Sequence, residues 1–186
     1  MNDFAYSDIY FDGNKPPSLL SSDKSLSHSI ELYSLTKGFS MAGWRVGFAV
    51  GNKDAISSVT KLKSYIDYGT FQPIQIASTV ALNELEEYPF ELSSVYKERR
   101  ELIVENLEDL NFSVQESTAT MFVWAKLPER FRNDSLKFSL ELLEKSNVAI
   151  SPGVGFGKYG EGYIRIALVE NKQRIRQAMK NIKAAL

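Results

Sequence analysis

One lysine in this chain has neighbours that could make it reactive. Lys37 lies in the stretch Ser34-Leu35-Thr36-Lys37-Gly38-Phe39-Ser40-Met41-Ala42-Gly43-Trp44-Arg45, between two short apolar runs. A lysine just past a strand, held in a small-residue turn, can project into a cleft instead of bulk water. The same turn brings hydroxyl groups and a guanidinium near it. Ser34 and Arg45 are natural phosphate ligands, the arginine through its planar bidentate fork. A reactive lysine beside a phosphate site is what a Schiff-base cofactor needs. The plainer reading is a solvated surface lysine, because Ser-x-x-Lys alone has no specificity. Composition and spacing leave both readings open.

Two other groups of residues bear on chemistry. Near the N-terminus, Asp3-Phe4-Ala5-Tyr6 offers a carboxylate and a phenol, or simply an exposed chain end. Further on, Arg165 interrupts the apolar run Tyr163-Ile164-Arg165-Ile166-Ala167-Leu168. Burying a guanidinium is costly without an anion, which points to a carboxylate partner. The alternative is an edge-strand arginine facing water. Glycines 153, 155 and 157 do not follow the Gly-x-Gly-x-x-Gly spacing and do not open a helix, so a dinucleotide site is rejected. Trp44 and Trp124 are read as core residues without chemistry.

Composition narrows the field. There is no cysteine and the single histidine is His28, which rules out thiolate metal sites and makes a Ser-His-Asp triad hard to build. Catalysis must come from Lys, Tyr, Asp, Glu, Arg or a cofactor. A hydrophobic fraction of 44% and a charged fraction of 24% support a packed core and argue against long disorder. The net charge of −1 gives no basic stripe for nucleic acid. No apolar run approaches the roughly 18 residues of a membrane span, and the first residues lack the pattern of a signal peptide. The absence of cysteine fits a cytoplasmic protein.

These residues need elements to position them. Alternation over residues 30–35 predicts a strand, and the run 46–50, closed by Gly51, predicts a second. With only about ten residues between them, too few for a helical crossover, they should be antiparallel neighbours. Ile56, Val59, Leu62 and Ile66 predict an amphipathic helix over 53–68. Another helix is expected from Pro73 to about Leu85, and one long helix over 90–110. Beyond it, strands are predicted at 121–127, 148–151 and 163–169, with helices at 136–145 and 171–185. The fold class is therefore α/β, with a sheet remnant at 1–88, a linking helix at 89–110 and a small α+β domain at 111–186.

The stretch 34–48 closely resembles the cofactor-lysine segment of fold-type I aminotransferases dependent on pyridoxal 5′-phosphate (PLP), the alanine and aspartate aminotransferase group. The resemblance implies that Lys37 forms the Schiff base with PLP and later carries the 1,3-proton shift. It implies that Ser34 and Arg45 bind the cofactor phosphate. Asp3 matches the aspartate that pairs with the pyridine nitrogen, and Tyr6 the tyrosine that bonds the ring's phenolic oxygen. Arg165 matches the arginine that clamps the substrate α-carboxylate. Thr118-Ala119-Thr120-Met121-Phe122-Val123-Trp124 and Val169-Glu170-Asn171 look like the alanine aminotransferase branch.

The resemblance covers essentially all of this chain but only the C-terminal half of such a family member. It implies the C-terminal part of the PLP-dependent transferase fold: a remnant of the large-domain mixed sheet, a long linking helix and a small α+β domain. The rest of the phosphate loop, the ring-stacking aromatic and the strand presenting Asp3 are expected to be missing, so the chain alone should be inactive and bind PLP weakly. The expected reaction moves an amino group between an amino acid and a 2-oxo acid. Alternatives are a fold-type I lyase or synthase, or a non-catalytic fragment without cofactor. A homodimer is implied, and neither nucleic acid nor membrane.

Overall fold

The computed structural model describes residues 1–131 and 134–186. They form two compact units, Met1–Ser93 and Ser94–Leu186.

The first unit is built on a three-stranded sheet in the order β1-β2-β3, with β1 Asn2–Asp3, β2 Ile30–Ser34 and β3 Gly47–Gly51. β2 and β3 pair antiparallel, from Ile30 opposite Gly51 to Ser34 opposite Gly47, as their short connection requires. β1 runs parallel to β2, with Asp3 opposite Leu32, so a strand end presenting Asp3 is present after all. β3 closes at Gly51, whose φ is 145° and where a Cβ would stand 2.0 Å from the carbonyl oxygen of Ser29; no other residue fits.

Helix α1 is a single turn, Leu35–Gly38, directly after β2. Helix α2, Lys53–Ile66, is capped by Asn52, whose side chain accepts the Ala55 N–H at 2.9 Å. Helix α3, Gln72–Glu84, carries Pro73 in its first turn, where the lost N–H has no partner to forfeit. Leu35, Met41 and Ala81 make the buried centre here, with Tyr33, Phe39, Val46 and Ala77 packed around it. The apolar stripe expected on α2 exists, yet no residue of α2 is buried; Leu62 and Ile66 are 63% and 70% exposed.

The polar stretch 12–29 is fastened by Glu31, which strand alternation would not mark as an interior residue. Its carboxylate accepts from the Leu19 N–H at 2.8 Å, the Ser18 hydroxyl at 2.9 Å and the Asn2 amide at 3.0 Å. Burial alone would raise its pKa, but the three donors outweigh that and hold it below the ordinary value.

Helix α4, Tyr88–Asp109, contains the boundary between the units. The second unit has an antiparallel sheet in the order β4-β5-β7-β6, formed by Ser113–Val114, Phe122–Lys126, Tyr163–Ala167 and Ser151–Pro152. Helices α5, Ser135–Ser146, and α6, Lys172–Ala185, complete it. Val123 and Ala125 of β5 and Ile164 and Ile166 of β7 point to one face. There they join Ile103 and Leu107 of α4, Phe138 and Leu142 of α5, and Ile175, Met179 and Ile182 of α6 in the core. The other face stays open, so period-2 alternation separates core from surface. The strand expected at 148–151 shrinks to Ser151–Pro152, opposite Arg165 and Ile164. Residues 148–150 follow the left-handed Asn147 that ends α5 and make no ladder. Among the described residues no helix is long and apolar enough to cross a membrane, and no cluster of His, Cys, Asp or Glu could hold a metal ion.

Candidate active site

Lys37 lies in α1, whose start is fixed by Ser34: the Ser34 hydroxyl accepts the Thr36 N–H at 3.2 Å. This cap turns the chain out of β2 and presents Lys37 within the helical turn. Lys37 is half-buried, and its Nζ lies 5.5 Å from the centre of the Tyr6 ring. Among the described residues its amine has no hydrogen bond or ion pair. Tyr6 reaches it because residues 4–9 fold into consecutive turns, Ser7 N–H to Phe4 O at 3.1 Å and Ile9 N–H to Tyr6 O at 3.1 Å, locked by the fully buried Ile9.

Arg45 falls two residues before β3, not at its start. It ends the 3-10 turn Ala42–Trp44 in a left-handed conformation with φ 53°. The guanidinium donates to the Ala42 carbonyl at 3.1 Å, and the residue is exposed. Ser34 and Gly47 are register partners, so Ser34 and Arg45 stand at the same end of the β2–β3 pair. Asp3 ends β1 and is exposed, with its Oδ1 accepting the Ala5 N–H at 3.3 Å. The unit thus gathers Tyr6, Ser34, Lys37 and Arg45 around one strand end, and Asp3 stands at the edge of the adjacent strand.

Asp8, Tyr33 and Gly38 were not legible as site residues. The Tyr33 hydroxyl donates to Asp8 Oδ2. Burial, then the hydrogen bond and charge of Asp8, push the Tyr33 phenol well above the ordinary tyrosine range. Twenty-five residues separate the pair, and no spacing rule links them.

In the second unit, Arg165 lies on the open face of β7, which is an interior strand of the sheet and not an edge. Its guanidinium carbon is 4.1 Å from the centre of the Phe122 ring and 4.1 Å from that of Phe156. The quadrupoles of the two rings attract the cation. Among the described residues no carboxylate or carbonyl takes its N–H donors. Trp124, opposite Arg165 across β5–β7, stacks on Tyr163 at 5.5 Å and meets Phe156 edge-on at 5.7 Å. Trp124 is therefore not a core residue: alternation places it with Phe122 on the open face. Likewise Trp44 is 46% exposed. Phe122, Trp124 and Arg165, with residues 115–120, line an open cavity of about 350 Å³. Its one cationic residue is Arg165. The strand period could have revealed Phe122 and Trp124 as its neighbours; Phe156 arrives from the 3-10 turn Gly153–Phe156 and could not be foreseen.

Comparison with known proteins places the chain in a family. The family described as aminotransferase class I and II matches residues 1–182, and the chain belongs to it. Members of that family use pyridoxal 5′-phosphate. A putative aminotransferase, AatC, of Rhizobium meliloti is 51% identical over 100% of this chain and 46% of its own length. The glutamate-pyruvate aminotransferase AlaC of Escherichia coli is 43% identical over 99% of this chain and 45% of its own. The substrate-bound structure of BacF from Bacillus subtilis superimposes with a TM-score of 0.91 at 36% identity, over 98% of this chain and 46% of that one. The α/β architecture is thus that of part of the PLP-dependent transferase fold. The chain spans about half the length of the relatives it matches.

Proposed function

We propose that this chain supplies the lysine side of a PLP-dependent aminotransferase site, moving an amino group between an amino acid and a 2-oxo acid. The observation that carries this reading is the unpartnered Lys37 amine over Tyr6, in a turn set between Ser34 and Arg45. An amine, a hydroxyl, a guanidinium, a phenol and a carboxylate suit an aldehyde cofactor bearing a phosphate, a phenolic oxygen and a ring nitrogen. Lys37 would attach it, Ser34 and Arg45 would hold the phosphate, Tyr6 the phenolic oxygen and Asp3 the ring nitrogen. When bound, the cofactor withdraws electrons from the substrate Cα. Lys37, with its amine free, would then move the proton from that Cα. Arg165 would grip the substrate α-carboxylate with in-plane N–H donors, since Phe122 and Phe156 lie against the guanidinium.

Residues 1–88 are read as the cofactor-binding portion, 89–110 as the linking helix and 111–186 as the small domain. The active species is read as a cytoplasmic homodimer. The glutamate-pyruvate activity in the name of AlaC favours alanine-type substrates; the aspartate type rests on the family resemblance. Borohydride reduction, with PLP, of a transaminating protein that includes this chain, followed by peptide mapping, tests the reading. It should label Lys37; label on another lysine with Lys37 clean overturns it. Formation of pyridoxamine phosphate from PLP and an amino acid separates a transaminase from a lyase or synthase of the same fold.

A further inference from the structure

Asp8 touches the chain on both sides of Lys37. Its Oδ2 takes the hydroxyl of Tyr33, the residue of β2 that lies four positions before Lys37. The same oxygen lies over the backbone of Gly38, the residue after Lys37: a Cβ there would stand 2.4 Å from Asp8 Oδ2 and 3.0 Å from its Cβ and Cγ. Gly38 is helical and has no positive φ, so its backbone does not demand glycine. A Cβ there would instead displace the Asp8 carboxylate. Tyr33 is itself fixed by stacking on Phe48 of β3, with ring centres 4.9 Å apart and planes inclined by 29°.

The two contacts bracket α1, and Lys37 lies between them. The segment that delivers Asp8 also delivers Tyr6, whose ring lies beneath the Lys37 amine. Asp8, Tyr33 and Phe39 border a cavity of about 230 Å³, so close packing does not hold Asp8 from that side. The Tyr33 hydrogen bond is what keeps the carboxylate on Gly38.

We propose that Asp8 is a positioning residue for Lys37: by joining the Tyr33 hydroxyl to the Gly38 backbone it sets the lysine turn over Tyr6. The proposal rests on the reading of Lys37 as the cofactor lysine. It assigns no bond to the cofactor or substrate for Asp8 itself.

A transaminating protein that includes this chain is treated with PLP and borohydride, and label at Lys37 is compared with label at Lys61 of α2, which is exposed in this chain. Amide exchange over residues 35–40 is followed in parallel. Tyr33→Phe and Asp8→Ala should each lower Lys37 labelling relative to Lys61 by about tenfold and speed exchange in the turn by a similar factor, as expected for one charge-assisted hydrogen bond. Gly38→Ala should do the same alone and add little to Asp8→Ala, because the group it displaces is gone. Should Asp8→Ala fail to fold, Tyr33→Phe decides, since it keeps the stack on Phe48. Unchanged labelling and exchange in Tyr33→Phe, or additive losses in the double variant, overturn the positioning role alone. A wild-type protein of that kind that labels Lys37 no better than Lys61 overturns the Lys37 reading and the positioning role with it.

Discussion

Gly153 and Gly160 meet backbone to backbone. A Cβ on Gly153 would stand 2.0 Å from the Gly160 carbonyl oxygen, and a Cβ on Gly160 would stand 2.0 Å from that of Gly153. Both are buried, and the chain between them carries Phe156 to Arg165. Gly160→Ala should therefore cost about 3 kcal/mol by overpacking rigid backbone. Urea unfolding followed by tryptophan emission checks this, since Trp124 lies against Phe156.

Arg165→Lys separates recognition from stability. The open face of β7 carries Arg165, so the core is untouched and the melting temperature should move by only a degree or two, which corresponds to about 0.5 kcal/mol. Lysine keeps the charge and loses the fork. In a transaminating protein that includes this chain, kcat/KM should fall by about thirty- to a thousand-fold, or roughly 2–4 kcal/mol. PLP labelling of Lys37 should be unaffected. An unfolded Arg165→Lys protein would make the arginine structural.

Acid should weaken the second unit through Glu161. Its Oε1 accepts the Ser135 N–H at 2.7 Å and the Gly162 N–H at 2.8 Å, so it caps the first turn of α5 together with Asp134. The Ser135 and Gly162 amides outweigh burial and hold the carboxyl below its ordinary 4.5. A lowered folded-state pKa adds stability that is present above the unfolded value and is lost as pH falls through the folded one. Stability should decline below about pH 4.5, and Glu161→Gln should flatten that decline while costing about 1 kcal/mol at neutral pH. Thermal melts between pH 7 and pH 3 read both effects.

Leu62→Glu tests the bare face of α2. With no residue of α2 buried, the change should leave unfolding free energy within about 0.5 kcal/mol. Under the homodimer reading it should also weaken self-association in sedimentation velocity. Unchanged association would place the dimer contact elsewhere.

Local signals in the sequence reached as far as local physics does. The antiparallel β2–β3 pair followed from a connection too short to cross over, and α3 from a proline placed where a first turn tolerates it. Lys37, Ser34 and Arg45 could be proposed together because one short stretch carries all three and resembles a family segment. Glu31 was illegible as an interior residue because its donors come from positions 2, 18 and 19, brought in by a loop with no periodicity. Asp8 and Phe156 were hidden for the same reason: each acts across a separation that only the folded backbone closes. α2 misled differently. Its period correctly marked an apolar stripe, but a stripe does not name what covers it.

The alternation along β5 and β7 also bears on how this chain can change over time. Val123, Ala125, Ile164 and Ile166 are locked into one interior, whereas Phe122, Trp124, Tyr163 and Arg165 share the opposite side. Two sets of positions, interleaved one residue apart, answer to different physical constraints. Drift on the inner set is limited by volume. Drift on the outer set alters the chemistry of the open face while the scaffold beneath stays constant. A combinatorial library confined to 122, 124, 156 and 163 would search new ligand preferences without re-solving the folding problem.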